Sequence, residues 1–598
     1  MRRLFYAAAL LSAPAVAAVL AASPADAAAK RPVEVRGALD AALRIEIVQA
    51  IAPFAGAPAS RLEARRRAAE AGDAAMAVLR SEGYYDAIVE PDIGEGDQPV
   101  AFIAITVGPR TTLVAPAVTW QGTPPDAASA ALAESAMQLK AGQAGRAADV
   151  VAAEGRIVAA LQQHGYADAA AAPREVVVDH ADQSMQPTFQ IAAGARVRLD
   201  GIVLAAKGRT NPRWAARLAA WKVGEVYTPA RVAELERRLR DTGVYDQVTV
   251  ALSPPNETRN GLRPVIVSLA DRPRGTLEFG ASYATSEGVG VDGSWILYNH
   301  LGQADTITNT LQFANIESRL ETDFVFPDWR RIDEKLALHG ALYADSTPAY
   351  DDWGLRAGGD VTYHVAKTTF VTYGLSADAN DTNEKESANF IALNHQRKLA
   401  TFGALVAVAI DNSNDPLDPT SGWRLDARLE PKAAFGDGSI VYLKAQGQLT
   451  GYMPFGATSG TVLAARLKLG AILGGSIPLV PGPDRFYAGG GGSVRGYAYQ
   501  AVGPRYADNT PEGGLSLFEG SLELRQRLTA QWGLAAFIDA GAAGTTVMPD
   551  FRHPDIGVGA GVRYNAGFGP IRLDIATPLY RRRGDSPIQL YISIGQSF

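Results

Sequence analysis

The segment IQLYISIG at residues 588–595 puts Ile588, Leu590, Ile592 and Ile594 on one face and Gln589, Tyr591, Ser593 and Gly595 on the other. Alternation with period two marks a strand with one apolar and one polar side. The pattern recurs from about Gly275 to Phe598. Ile571, Leu573 and Ile575 alternate with Arg572 and Asp574, and Trp423, Leu425, Ala427 and Leu429 alternate with Arg424, Asp426, Arg428 and Glu430. Turn residues separate the runs. Lipid-out, water-in alternation over so long a stretch is the signature of a transmembrane β-barrel. A β-sandwich alternates too, but this length would divide into two or three domains joined by linkers, and none is visible.

Seventeen strand-like segments can be counted, from one near residue 275 to one near 588. A single-chain bacterial barrel has an even number of strands. The segments near 386 and 398, Asn389–Leu393 and Leu399–Ile410, are the least separable pair, so sixteen strands are expected. Residues 473–513 then form the longest loop.

That loop contains AGGGGSVRGYAYQ, residues 488–500. Gly489 to Gly492 can take positive φ and let the backbone pass close to other structure. Arg495 follows, with Tyr497 close by. A barrel of sixteen strands leaves a lumen, and a guanidinium folded into it needs a carboxylate or an aromatic face. Glu523 in Ser521–Arg525 and Asp539 in Ala535–Gly541 each fall on the less apolar face of a strand, within reach of one arginine.

Residues 30–273 carry a weak internal repeat. Ser81-Glu82-Gly83-Tyr84-Tyr85-Asp86, Gln163-His164-Gly165-Tyr166-Ala167-Asp168 and Asp241-Thr242-Gly243-Val244-Tyr245-Asp246 recur at spacings of 82 and 78 residues, Gly83 to Gly165 to Gly243. Each copy follows a helical pattern; Val232, Leu235 and Leu239 share one face before the third. The glycine suits a helix C-terminal cap. Two strand-like segments follow each copy, and one strand (Val33–Arg36, Thr111–Trp120, Val197–Leu204) precedes each helical pair. The order is β-α-α-β-β in about 80 residues, a small α+β unit. The edge of such a short sheet can take up an extended peptide.

Arg2-Arg3, the apolar run Leu4–Ala22 and Ala25-Asp26-Ala27 read as a secretory signal over residues 1–27. The chain of 598 residues has no cysteine, which leaves neither disulfides nor N-terminal lipidation. Beyond the signal no apolar run is long enough for a transmembrane helix. A net charge of −6 gives no reason to expect a nucleic-acid partner. The seven histidines show no HExxH spacing, no Gly-x-Ser-x-Gly elbow stands between strand and helix, and the glycine run lacks the Lys-Ser/Thr of a phosphate loop. No enzymatic activity, cofactor or metal is expected.

Several stretches together resemble the BamA/TamA superfamily of outer-membrane assembly proteins. They are the three units, Val494-Arg495-Gly496-Tyr497 in the long loop, Phe537-Ile538-Asp539-Ala540-Gly541, Asp415–Trp423, Gly569–Asp574 and a final strand ending in Phe598. The resemblance implies three tandem α+β POTRA-like domains (30–109, 110–195 and 196–273) followed by a 16-stranded antiparallel transmembrane β-barrel (274–598). It implies that Arg495 packs against Glu523, Phe537 and Asp539. It also implies an outer-membrane location with the N-terminal domains in the periplasm of a Gram-negative bacterium.

Three units look most like TamA, the autotransporter assembly factor. That likeness implies outer-membrane lipids, unfolded outer-membrane or autotransporter clients and a TamB-like inner-membrane-anchored protein as partners. The first strand, Thr276–Thr285, would pair with the last, Ile588–Phe598, at a seam that Gly595 weakens; Phe598 also reads as an insertion signal. A two-partner type secretion pore and a phospholipid-transport component acting with a TamB-like partner are the alternatives.

Overall fold

The computed structural model describes residues 33–54, 58–95, 100–284, 288–384, 396–456, 460–566, 569–594, 596 and 598. The signal-like segment 1–27, the strand considered near 386 and Gly595 lie outside the described residues. The described chain forms two compact units. One runs to Asp200 and includes Lys222–Arg231 and Pro254–Arg263; the other comprises Gly201–Trp221, Val232–Ser253 and Pro264–Phe598.

The first α+β unit contains β1 (Glu34–Arg36), α1 (Ala41–Ile51), α2 (Arg61–Ser81), β2 (Ile88–Ile93) and β3 (Ala101–Thr106), with sheet order β1-β3-β2. Asp40 and Ser60 start the two helices by accepting the amides of Leu43 and Glu63. Ala64, Ala68, Ala71, Ala75 and Leu79 form the buried stripe of α2, and these small residues let the helix lie close on the sheet.

The second unit contains β4 (Thr112–Leu113), β5 (Ala117–Gln121), α3 (Ala127–Ala136), α4 (Ala147–Gln163), β6 (Ala170–Ala171), β7 (Glu175–Asp179) and β8 (Ser184–Ala192). All four other strands pair with β8. The single strand expected over Thr111–Trp120 is broken, because Ala115 takes φ +42° and Pro116 follows it.

The third unit contains β9 (Arg198–Leu204), α5 (Pro212–Arg217), α6 (Pro229–Asp241), β10 (Tyr245–Leu252) and β11 (Leu262–Asp271) in sheet order β10-β11-β9. The helices of all three units lie between the opening strand and the last hairpin, the order that the repeat predicts.

From Gly275 the chain is a closed antiparallel barrel, with sixteen strands among the described residues. They are β12 (Gly275–Ala284), β13 (Gly288–Tyr298), β14 (Thr306–Ala314), β15 (Glu317–Phe326), β16 (Glu334–Ser346), β17 (Tyr350–Ala366), β18 (Thr369–Glu384) and β19 (Gln396–Asp411). The wall continues with β20 (Gly422–Gly436), β21 (Ile440–Phe455), β22 (Thr461–Leu473), β23 (Ser516–Arg527), β24 (Trp532–Gly544), β25 (Asp555–Asn565), β26 (Pro570–Pro578) and β27 (Gln589–Ile594). Of the doubtful pair, Leu399–Ile410 lies within β19, and Asn389–Leu393 falls outside the described residues.

The outer wall exposes Leu277, Phe279, Trp295, Leu342, Trp353 and Leu375, whereas Arg466, Glu523, Asp539 and Asp574 are buried on the inner face. No described helix is long and apolar enough to cross a membrane. The strands do so, because a closed sheet satisfies every backbone hydrogen bond without water.

Candidate functional site

The loop between β22 and β23, residues 474–515, folds into the lumen. Gly489, Gly490 and Gly496 take φ of +105°, +102° and +102°, conformations only glycine adopts without strain. This backbone lowers Arg495 onto the inner faces of β23, β24 and β26. Its Nε and Nη2 donate to the two oxygens of Asp539 at 2.7 and 3.0 Å, a bidentate pair. Nη1 donates to Glu523 at 2.7 Å and to Asp574 at 3.1 Å, and the backbone amide donates to Asp539 at 3.1 Å. The guanidinium carbon lies 3.3 Å from the centroid of the Phe537 ring. Arg495 is 2% exposed, Glu523 0%, Asp539 1% and Asp574 0%.

Buried charges on this scale are tolerated only because each is answered. Arg525 donates to Glu523 at 2.9 Å, and Arg563 donates to Asp574 and, at 3.3 Å, to Glu523. With Arg572 3.5 Å from Asp574, four arginines thus meet three carboxylates. Nearby, Tyr591 on β27 takes the amide of Gly496 and donates to the carbonyl of Tyr497, both at 3.1 Å. Tyr497 donates to the carbonyl of Tyr580 at 3.0 Å. Val494, fully buried, packs among Tyr497, Val502 and Leu517.

The wall beneath the loop is floored with glycine. A Cβ on Gly557 would lie 1.8 Å from the carbonyl oxygen of Arg495, and one on Gly541 would lie 2.5 Å from Val494. On Gly559 it would lie 2.4 Å from the Phe537 ring. The barrel wall is cut away where the loop rests.

The seam is built differently. β12 pairs with β13 at all ten of its positions, but among the described residues it pairs with β27 at one, Ala284↔Tyr591. Continued in that register, Gln596 would face Phe279 and Phe598 would face Leu277. Both go elsewhere. Gln596 donates to Asp418 at 2.9 Å and accepts from Arg563 at 3.2 Å. Phe598 packs against Tyr452, Val462 and Ala464 inside the lumen, with the guanidinium groups of Arg466 and Arg525 over its ring at 5.4 and 5.6 Å. Among the described residues β27 runs from Gln589 to Ile594, and the Phe598 ring, expected at the seam, lies against the lumen wall. Leu277 and Phe279 stay exposed, at 67% and 83%.

In the sequence Asp574 and Tyr591 read only as polar-face strand residues, Asp574 also closing the Gly569–Asp574 stretch, and Arg563 is not among the candidates. Alternation puts Asp574 on the inner face, but no local signal says that a loop two hairpins earlier reaches it. Asp415–Trp423, one of the stretches that carry the resemblance, supplies Asp418 to Gln596 and, at 3.0 Å, to Arg527.

Fold and site together define a class: a transmembrane barrel with a lumen loop pinned by buried ion pairs, a short seam and α+β units ahead of it. Residues 299–598 match the Omp85 superfamily domain, and the chain belongs to that superfamily. It is 23% identical over 417 residues to outer membrane protein assembly factor BamA of Neorickettsia risticii, covering 67% of this chain and 55% of that protein. It is 24% identical over 343 residues to a mouse sorting and assembly machinery component 50 homolog, covering 53% of this chain and 69% of that one. The crystal structure of BamA from Haemophilus ducreyi lacking POTRA domains 1–3 superposes with a TM-score of 0.70 at 19% identity, covering 80% of this chain and 99% of that one. The chain spans about half the length of the BamA relatives it matches.

Proposed function

We propose that this protein is an outer-membrane assembly factor that inserts β-barrel or autotransporter clients through the seam between β12 and β27. The observation that carries this reading is the edge of β12: ten residues long and, among the described residues, held by β27 at a single register pair. An exposed edge templates an incoming strand through its own backbone amides and carbonyls, and each added strand leaves into lipid with its hydrogen bonds satisfied. No bond to the client is made or broken covalently. Asp418, Arg525 and Arg563 hold Gln596 and Phe598 inward, and so keep the last strand from covering that edge.

The finer assignment, a TamA-like factor working with a TamB-like inner-membrane-anchored partner, is supported by the number of α+β units. The lumen loop, pinned through Arg495, occupies part of the space that a secretion pore would need, which favours the insertase over the pore. The test is reconstitution: protein in liposomes, an unfolded barrel client added, and folding read by heat-modifiable gel mobility. Faster client folding than in empty liposomes is expected; no acceleration, or a large steady conductance, overturns the reading. Copurification of a long inner-membrane-anchored protein tests the partner.

A further inference from the structure

We infer that the turn repeated through residues 30–273 is the socket of a joint that fixes one α+β unit to the next, and that the second joint holds more firmly than the first. Gly83 and Gly165 end α2 and α4 with φ of +94° and +99°. In both copies the glycine carbonyl accepts the amide of the residue that leads into the next unit: Thr111 to Gly83 at 2.9 Å and Val197 to Gly165 at 2.8 Å. An arginine just before that residue donates its Nε to the carbonyl preceding the glycine. Arg110 reaches Glu82 at 2.9 Å, and Arg196 reaches His164 at 3.2 Å.

The following unit then closes on the glycine itself. A Cβ on Gly83 would lie 3.1 Å from the carbonyl oxygen of Gly145, and one on Gly165 would lie 2.5 Å from Val226. Gly145 and Val226 lie one register position apart in the corresponding segments of the two units, just ahead of α4 and α6. The aspartate of the turn receives a cation from the last hairpin of the next unit. His180 lies 2.5 Å from Asp86, and Arg263 grips Asp168 with two bonds of 2.8 and 2.6 Å.

The third copy is an internal control. No α+β unit follows it, and among the described residues nothing lies within 4 Å of where a Cβ on Gly243 would be. All three turns carry the glycine, but the space beside it is filled only where an α+β unit follows. The two occupied sockets differ in strength. His180 is an exposed side chain whose charge depends on its protonation, whereas Arg263 is 3% exposed and bonds in a fixed fork.

The absence of cysteine lets spin labels be placed singly in the full-length protein in nanodiscs. Labels at Arg66→Cys and Val151→Cys span the first joint, and labels at Val151→Cys and Ala230→Cys span the second. Narrow, single distance distributions are expected for both. With Gly243→Asn reporting backbone strain where the space is open, Gly165→Asn, at φ +99°, adds bulk where Val226 stands. It should at least double the width across the second joint and leave the first unchanged, while Gly243→Asn changes neither. Arg263→Leu, which keeps apolar bulk without the charge, should widen the second joint more than His180→Ala widens the first. A broad second-joint distribution in the unmodified protein overturns the inference. So do unchanged widths in both Gly165→Asn and Arg263→Leu, or a His180→Ala effect larger than that of Arg263→Leu.

Discussion

The loop between β22 and β23 and the seam between β12 and β27 are parts of one barrel, yet they are held in opposite ways. The loop has a bidentate ion pair, two further carboxylates, an aromatic face and a wall cleared of side chains beneath it. The seam has one register pair among the described residues, and the strand that could extend it turns inward. Buried charge is costly and needs many partners at once, so it fixes a segment in a single position. A ladder left short costs little to open. Among the described residues the ion pairs gather in the lumen, while the seam facing lipid keeps a short ladder.

Removing the charge that fixes the loop should produce the largest effect. Arg495→Ala leaves Glu523, Asp539 and Asp574 facing one another with one cation fewer, a loss of about 3–5 kcal/mol. Heat-modifiable mobility and the outer-membrane level should both fall; unchanged values would mean that the loop does not organise the barrel. Next comes Gly557→Ala, whose methyl would collide with the Arg495 carbonyl. Overpacking of this kind costs about 1–3 kcal/mol, and greater protease cleavage within residues 474–515 would report it.

A smaller effect sharpens the other side of the comparison. Asp418→Ala removes the acceptor of Gln596, worth about 1 kcal/mol. Cysteines at Leu277 and Phe598 should then cross-link more readily, because the last strand swings toward the edge of β12. The smallest effect lies in the N-terminal units. Asp126 caps α3, and the Ser129 amide, with help from the Tyr166 and Ser129 hydroxyls, holds its carboxyl down at about 2. Its contribution is complete above the ordinary value near 3.8 and is lost as pH falls toward 2. Asp126→Asn should flatten the acid unfolding curve in that window.

The barrel was legible because lipid on one side and water on the other impose strict alternation, and because the repeat recurs at nearly constant spacing. Arg495 stood out as a charge among glycines, and Glu523 and Asp539 as charges on mostly apolar strands. Asp574, Arg563 and Tyr591 did not stand out: their place depends on barrel closure, which brings β26 and β27 to a loop far away in sequence. The inward path of Gln596 and Phe598 was hidden for the same reason, since Tyr452, Val462 and Asp418 lie on distant strands and turns. The break at Ala115 was a local backbone event, and Pro116 was the available clue.

If clients pass between β12 and β27, the seam must open. Cysteines at Tyr283 and Ile592, the next positions in the Ala284↔Tyr591 register, form the only disulfide available to the chain. Measured in the liposome assay, the oxidised protein should remain folded and lose its acceleration of client folding, and reduction should restore it. Full acceleration with the disulfide intact would contradict the account.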